Sequence, residues 1–241
     1  MITRNPFLSI IIPVYNESNR LGHILSLYKF IRSQKFKSEL IIVNDGSTDN
    51  TLKRLESLKE KNRFNIISYR DNKGKGYAVR MGMLQAKGRY CLFTDIDFST
   101  PIEAFNKLAP WIKKYDVVIG SRKMIGAKLI NRQPFVRESL GRGFTILSKL
   151  ILGLNLSDFT CGFKCFSKKA TMDIFSRQKI NRWGFDSEIL FIAKIKNFKI
   201  KEVPVEWSND QQTKVKFPDD LISSLFELLL IRYYNFKHFY K

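Results

Sequence analysis

With 241 residues, 44% of them apolar and 13% aromatic, the chain has the material for one large buried core, which excludes a disordered or extended protein. Lysine plus arginine exceed aspartate plus glutamate by 42 − 22 = +20, and the excess runs through both halves rather than one tail. That field attracts nucleotides, nucleic acid or an anionic membrane surface without choosing among them, while Cys91, Cys161 and Cys165 with only His23 and His238 cannot assemble a zinc set.

In chain order, Leu8 to Ile12 is a β-branched apolar run stopped by Pro13, and Leu40 to Val43 is another, stopped by Asn44-Asp45-Gly46. Both read as interior strands of a parallel sheet. Between them Glu17 to Ser33 has apolar residues at helical spacing, as does Thr48 to Lys61. A third strand is expected over Asn65 to Tyr69, a third helix over Gly76 to Ala86 and a fourth strand over Tyr90 to Phe93. This alternation predicts an α/β fold with a mostly parallel, doubly wound central sheet flanked by helices, in one domain. Beyond it the pattern predicts a helix from Pro101 to Lys114, a strand over Val117 to Gly120 and a basic helix from Arg137 to Leu152. Strands over Phe163 to Phe166 and Ile200 to Glu206 enclose a helix from Phe185 to Lys196. The catalytic-type domain is expected to occupy 1–217, and 218–241 forms an amphipathic helix packed on it or at a membrane surface.

Three strand ends of the first half deliver polar residues to one edge: Pro13 to Glu17, Asn44 to Asp49, and Asp95-Ile96-Asp97. Singly, Asn16 or Ser18 could only cap a helix, Asp45-Gly46 only turn the chain, and Ser47 or Thr48 only start the next helix. Together they stand where an open α/β sheet binds nucleotides. Two carboxylates one residue apart at such an edge, Asp95 and Asp97, suit a hard divalent cation, Mg²⁺ or Mn²⁺, held against a diphosphate.

The segments Ser9 to Glu17, Val43 to Asp49, Asn72-Lys73-Gly74-Lys75-Gly76 and Asp95-Ile96-Asp97 resemble family-2 glycosyltransferases of the GT-A (Rossmann-like) fold. Gly120-Ser121-Arg122, Asp158 to Lys164, Trp183 to Glu188 and Val203 to Trp207 extend the likeness over about residues 8 to 217. These later segments are similar to the subgroup that makes polyprenyl-phosphate sugars, and within it to dolichyl-phosphate β-glucosyltransferases. The resemblance implies that Pro13, Tyr15 and Glu17 border the nucleotide and that Asp45 accepts the imino hydrogen of its base. It sets Lys75 and Gly76 beside base and ribose, Asp95 on ribose and metal, and Asp97 as the principal metal ligand. Polyprenyl-phosphate mannose synthases add a glutamine two residues beyond the second aspartate; Ser99 stands there in this chain.

The implied reaction is inverting transfer of a hexose, with glucose and a uridine diphosphate donor favoured, to a polyprenyl or dolichyl phosphate. A lipid phosphate is already anionic, so it needs cations rather than a base, and Arg122, Arg137, Lys164 and Lys214 are assigned to it, with Asp97, Arg122 and Lys214 as the catalytic set. A second reading keeps the donor and uses a saccharide hydroxyl of a surface glycan, with Asp186 or Glu188 as general base. A third, a basic nucleic-acid-binding module, finds no clustered basic arm or binding motif in the chain. With no signal-peptide pattern and no long apolar span, the expectation is a reduced, cytoplasmic enzyme, peripheral on the cytoplasmic face of a membrane. The tyrosines and lysines of Arg232 to Lys241 suit that interface.

Overall fold

The structure, a computed structural model, describes residues 5–210 and 219–241. The first half follows β1 (Leu8–Val14), α1 (His23–Ser33), β2 (Ser38–Asp45), α2 (Thr51–Lys61), β3 (Asn65–Tyr69), α3 (Lys75–Gln85) and β4 (Tyr90–Thr94). The second half runs through a short helix α4 (Phe105–Leu108), β5 (Val117–Ser121), β6 (Lys128–Leu129), α5 (Phe135–Leu152), β7 (Phe163–Ser167), α6 (Lys168–Arg177), α7 (Phe185–Ile195), β8 (Ile200–Pro204), β9 (Glu206–Trp207) and α8 (Asp219–Phe236).

Seven strands form one sheet in the order β3-β2-β1-β4-β7-β5-β8, and β6 pairs with β9 apart from it. The strands β3, β2, β1 and β4 are parallel neighbours, whereas β7 runs antiparallel to both β4 and β5. The fold class expected from the sequence holds.

Period-two alternation sorts the strand residues onto two cores. Ile10, Ile12, Leu40, Ile42 and Leu92 face one side, where Ile24, Leu27 and Phe30 of α1 and Phe105 of α4 cover them. Ile11, Ile41, Val43, Cys91 and Phe93 face the other, under α3, α6 and α7. Burial on both faces explains why these strands read as unbroken apolar runs.

Several boundaries depart from the sequence pattern for identifiable reasons. The first strand passes through Pro13 to Val14, because pairing with β4 ends at Ile11 and Pro13 lies where β1 keeps one neighbour only. Residues 17–22 form turns, so α1 starts at His23 rather than Glu17. The helix expected over Pro101 to Lys114 breaks into a 3-10 turn (Ile102–Ala104), α4 and further turns; Pro110 lacks the amide that a continuing helix needs. The α6 helix is unanticipated, although Ser167 caps it by accepting from the Ala170 amide and Ala170, Thr171, Ile174 and Phe175 form its buried stripe. The strand expected over Ile200 to Glu206 divides into β8 and β9. The last helix ends at Phe236 rather than Tyr240, and the chain folds back so that Tyr240 is buried.

Candidate active site

The carboxyl ends of β1 and β2 are laced together by short polar side chains. Asn16 takes a left-handed φ of 52°, which asparagine tolerates. Its Oδ1 accepts from the Thr48 amide at 2.7 Å, its own amide donates to Ser47 Oγ at 2.9 Å, and the Glu17 amide donates to Thr51 Oγ1 at 2.8 Å. Asn16 therefore ties two loops rather than capping α1. Pro13 is buried at the end of β1, Tyr15 is exposed, and Glu17 is gripped by Arg20, whose other nitrogen reaches Asp210 at 2.9 Å.

Asp45 ends β2 and organises the next loop. Its Oδ1 accepts from the Lys73 amide at 2.9 Å, and its Oδ2 from the Gly74 amide at 2.9 Å and Asn72 Nδ2 at 2.8 Å. The loop bends through Gly74 at φ 102°, a conformation that L side chains rarely adopt, and delivers Lys75 as the first residue of α3. Lys75 Nζ then lies 2.7 Å from Asp95 Oδ1. Its ammonium faces the acidic pair, beside the carboxylate that the resemblance sets on ribose and metal. Gly76 is a packing residue, since a Cβ there would stand 2.6 Å from Phe185 Cβ.

The acidic pair sits on a turn just past β4. The Phe98 amide donates to Asp95 O at 3.3 Å, the Ser99 amide donates to Asp97 Oδ1 at 2.9 Å, and His23 Nδ1 lies 3.0 Å from Ile96 O. Burial and then the neighbouring Asp95 charge raise the Asp97 carboxyl above the usual range, against the pull of the Ser99 amide and Lys75. Burial works against charge on Lys75 too, but Asp95, Asp186 and Asp97 outweigh it and raise its pKa. Behind the pair, a Cβ on Gly162 would lie 2.1 Å from Asp95 Oδ2, so that glycine lets the carboxylate occupy its place.

Among the described residues no three carboxylate, imidazole or thiol groups converge as a closed metal cage. Two neighbouring carboxylates that disfavour each other's charge still fit Mg²⁺ or Mn²⁺, which bind through one or two carboxylates while substrate phosphates and water complete the sphere.

Arg122 directly follows β5. Its Nε and Nη2 grip Asp158 at 2.7 and 2.8 Å, and Nη2 also donates to Thr160 Oγ1 at 2.9 Å. The planar fork matches the carboxylate. Burial opposes ionisation of Asp158, yet Arg122 holds its carboxyl down at about 2. Arg137 of α5 has its pKa lowered by burial and then by the charge of Arg122, so the two guanidiniums share one neighbourhood. Two cations are brought together there.

Other assignments change. Lys164 is fully buried, bonded to Asp186 and donating to Cys161 O at 2.8 Å, so it is an interior counter-charge rather than an exposed phosphate ligand. Asp186 is 3% exposed and is held by that ammonium. Glu188 is also sealed in: it accepts from the Lys179 and Ile180 amides at 2.9 and 2.8 Å and from Tyr240 Oη at 2.7 Å. It fixes the loop before α7 and cannot meet an acceptor hydroxyl. Lys214 lies outside the described residues.

Sequence reasoning gave Asp158 and Gly162 no role in this site, and placed Asn16 and Asn72 in its loops without their contacts. Asp158 and Gly162 lie in a segment that carried the family likeness, but nothing in spacing alone tells which side chain they support.

The chain was compared with known proteins. Residues 9–175 match the model of glycosyl transferase family 2. The chain belongs to that family. Among curated relatives, this family 2 glycosyltransferase is 34% identical over 244 residues to the dolichyl-phosphate beta-glucosyltransferase of Dictyostelium discoideum, covering 95% of the chain and 75% of the relative. It is 34% identical over 247 residues to that of Saccharomyces cerevisiae, covering 94% and 74%, and 32% identical over 224 residues to that of Homo sapiens, covering 86% and 69%. Glucosyl-3-phosphoglycerate synthase from Mycobacterium tuberculosis, solved with Mn²⁺, UDP and glucosyl-3-phosphoglycerate, superimposes with a TM-score of 0.65 at 17% identity, covering 94% of this chain and 78% of that one. S. aureus TarS residues 1–349 gives a TM-score of 0.59 at 20% identity, covering 93% and 64%. The shared architecture is that of the GT-A glycosyltransferases. Family membership makes the chain a glycosyltransferase and sets the nucleic-acid-binding reading aside.

Proposed function

We propose that this enzyme transfers glucose, with inversion, from uridine diphosphate glucose to a polyprenyl phosphate of the dolichyl type, peripherally at the cytoplasmic face of a membrane. The curated relatives' names support the sugar and the acceptor class. The observation that carries the choice of a phosphate acceptor over a hydroxyl is the state of the proposed bases: Asp186 is bound by Lys164 and Glu188 by two amides and a phenol. A phosphate oxygen needs no base.

The bond from the sugar's anomeric carbon to the donor's β-phosphate oxygen breaks, and an acceptor phosphate oxygen forms the new bond on the opposite face, leaving uridine diphosphate. A divalent cation, held by Asp97 and Asp95 when bound, stabilises the charge that grows on the departing diphosphate. Lys75 balances the carboxylates and stands beside the leaving group's place. Arg122, oriented by Asp158, and Arg137 draw the second anion toward the donor and hold it for attack. Tyr15 and the 72–74 loop organised by Asp45 form the nucleotide's border; Lys214 stays a candidate on the acceptor side.

The test is a panel of labelled nucleotide sugars and short-chain acceptors with and without EDTA. Organic-extractable label from UDP-glucose on polyprenyl phosphate, lost with EDTA, is expected. Label appearing only on saccharides would overturn the reading.

A further inference from the structure

The α8 helix has two apolar faces. Leu228 and Ile231 face inward and join the core with the half-buried Leu221 and Leu225. A second stripe, Ile222, Phe226, Leu229, Tyr233 and Phe236, points outward, with Phe226 64% and Phe236 75% exposed. Its spacing of four, three, four and three residues is a continuous helical seam. Core packing explains the first stripe and leaves the second without a reason. The α5 helix packs against α8 and exposes Phe135 and Val136 at its start and Ile146 and Leu150 further on. Patches of this kind mark an interaction surface.

Charge chooses the occupant. From Asp219 to Lys241 the exposed positions carry Arg232, Lys237 and Lys241 against one carboxylate, Asp219 at the helix start, because Glu227 is half-buried and accepts from the Gly184 amide at 2.6 Å. Lys237 Nζ sits 5.9 Å from the Tyr233 ring, so cation and aromatic share the rim. Two copies meeting through this face would oppose cation to cation, whereas an anionic lipid surface takes the apolar stripe at the acyl boundary and the cations at headgroup level. Arg137 follows the exposed Phe135 and Val136 in the first turn of α5.

We infer that the outer stripe of α8 and the exposed residues of α5 form a docking surface for an anionic phospholipid bilayer, with α8 lying in the interface. This rests on the proposed lipid phosphate acceptor, but the vesicle binding that decides it needs no turnover. The purified chain is floated, without substrates, with vesicles of phosphatidylcholine alone and of phosphatidylcholine mixed with phosphatidylglycerol. Wild type should bind the mixed vesicles, lose binding as salt rises, and bind the neutral ones weakly. The double variant Phe226→Ser/Phe236→Ser should partition at least about tenfold less, with an unchanged melting temperature and unchanged transfer to a short, water-soluble polyprenyl phosphate. Arg232→Glu/Lys237→Glu should lose only the preference for anionic vesicles. Wild type that ignores mixed vesicles, or a double variant that binds them equally, would overturn the inference. So would a wild-type dimer that becomes monomeric in the double variant. A protein that binds vesicles as expected but transfers nothing to any lipid phosphate would overturn the function and leave the docking face standing.

Discussion

At the ends of β2 and β4 the carboxylates are met mainly by backbone amides and one ammonium: Asp45 by the 72–74 loop, Asp97 by the Ser99 amide, Asp95 by Lys75. Around β5 and β7 buried charge is met by full counter-charge, Arg122 on Asp158 and Lys164 on Asp186. The first arrangement leaves negative charge incompletely neutralised at the sheet's edge, as a cation site needs. The second neutralises charge inside the protein, where one unpaired partner is costly. Residues of the same chemical type are therefore left partly unneutralised in one half of the sheet and paired within the protein in the other.

The sharpest way to break that contrast is Asp97→Asn. Transfer should fall by about a thousandfold or more, because the carboxylate supporting charge on the leaving diphosphate is gone. A thermal melt should stay close to wild type. Retained turnover would remove Asp97 from the site.

On the framing side, Arg122→Ala should cost roughly 3 kcal/mol of stability in urea unfolding, since it strands Asp158 uncompensated in the interior. Activity falls as well, so the stability loss is what marks the residue as part of the frame. Acid adds a second handle. The folded Asp158 carboxyl is held at about 2 against an ordinary value of 3.8, so the pair's contribution is complete above 3.8 and is lost as pH falls toward 2. Wild type should lose that increment over this window and Arg122→Ala should not; equal acid slopes would contradict the pairing.

A Cβ at 162 tests how closely frame and ligand side touch. Gly162→Ala pushes on Asp95 Oδ2 and should weaken Mn²⁺ binding in the presence of UDP by about tenfold, read by the paramagnetic signal of free Mn²⁺. Unchanged affinity would mean that Asp95 is free to move. The smallest effect on turnover belongs to Glu188→Gln, which should lose roughly 1–2 kcal/mol of stability and keep kcat within about threefold. A large loss of kcat with full stability would return Glu188 to the role of base.

The same contrast accounts for what could be read in the sequence. In the first half β1, β2 and β4 are buried on both faces and each loop is short, so apolar runs and the polar residues after them mark the fold and bring Pro13, Asp45, Asp95 and Asp97 to one edge of the sheet. In the second half β7 enters antiparallel between β4 and β5, and pairing of that kind leaves no periodic trace. The partners of Arg122, Lys164 and Glu188 are 36, 22 and 52 residues away. A lone charge in sequence cannot announce whether it meets a ligand or another side chain, which is why Lys164 and Glu188 were read as site residues. Tyr240 was misread for the same reason: its ring suits an interface, but its hydroxyl closes on Glu188 inside.

The most direct measurement pairs a short-chain polyprenyl phosphate with the alcohol of the same chain, each incubated with labelled UDP-glucose and Mn²⁺. Two guanidiniums, with Asp186 and Glu188 both occupied within the protein, predict label on the phosphate alone. Glucose appearing on the alcohol at a comparable rate would contradict the account.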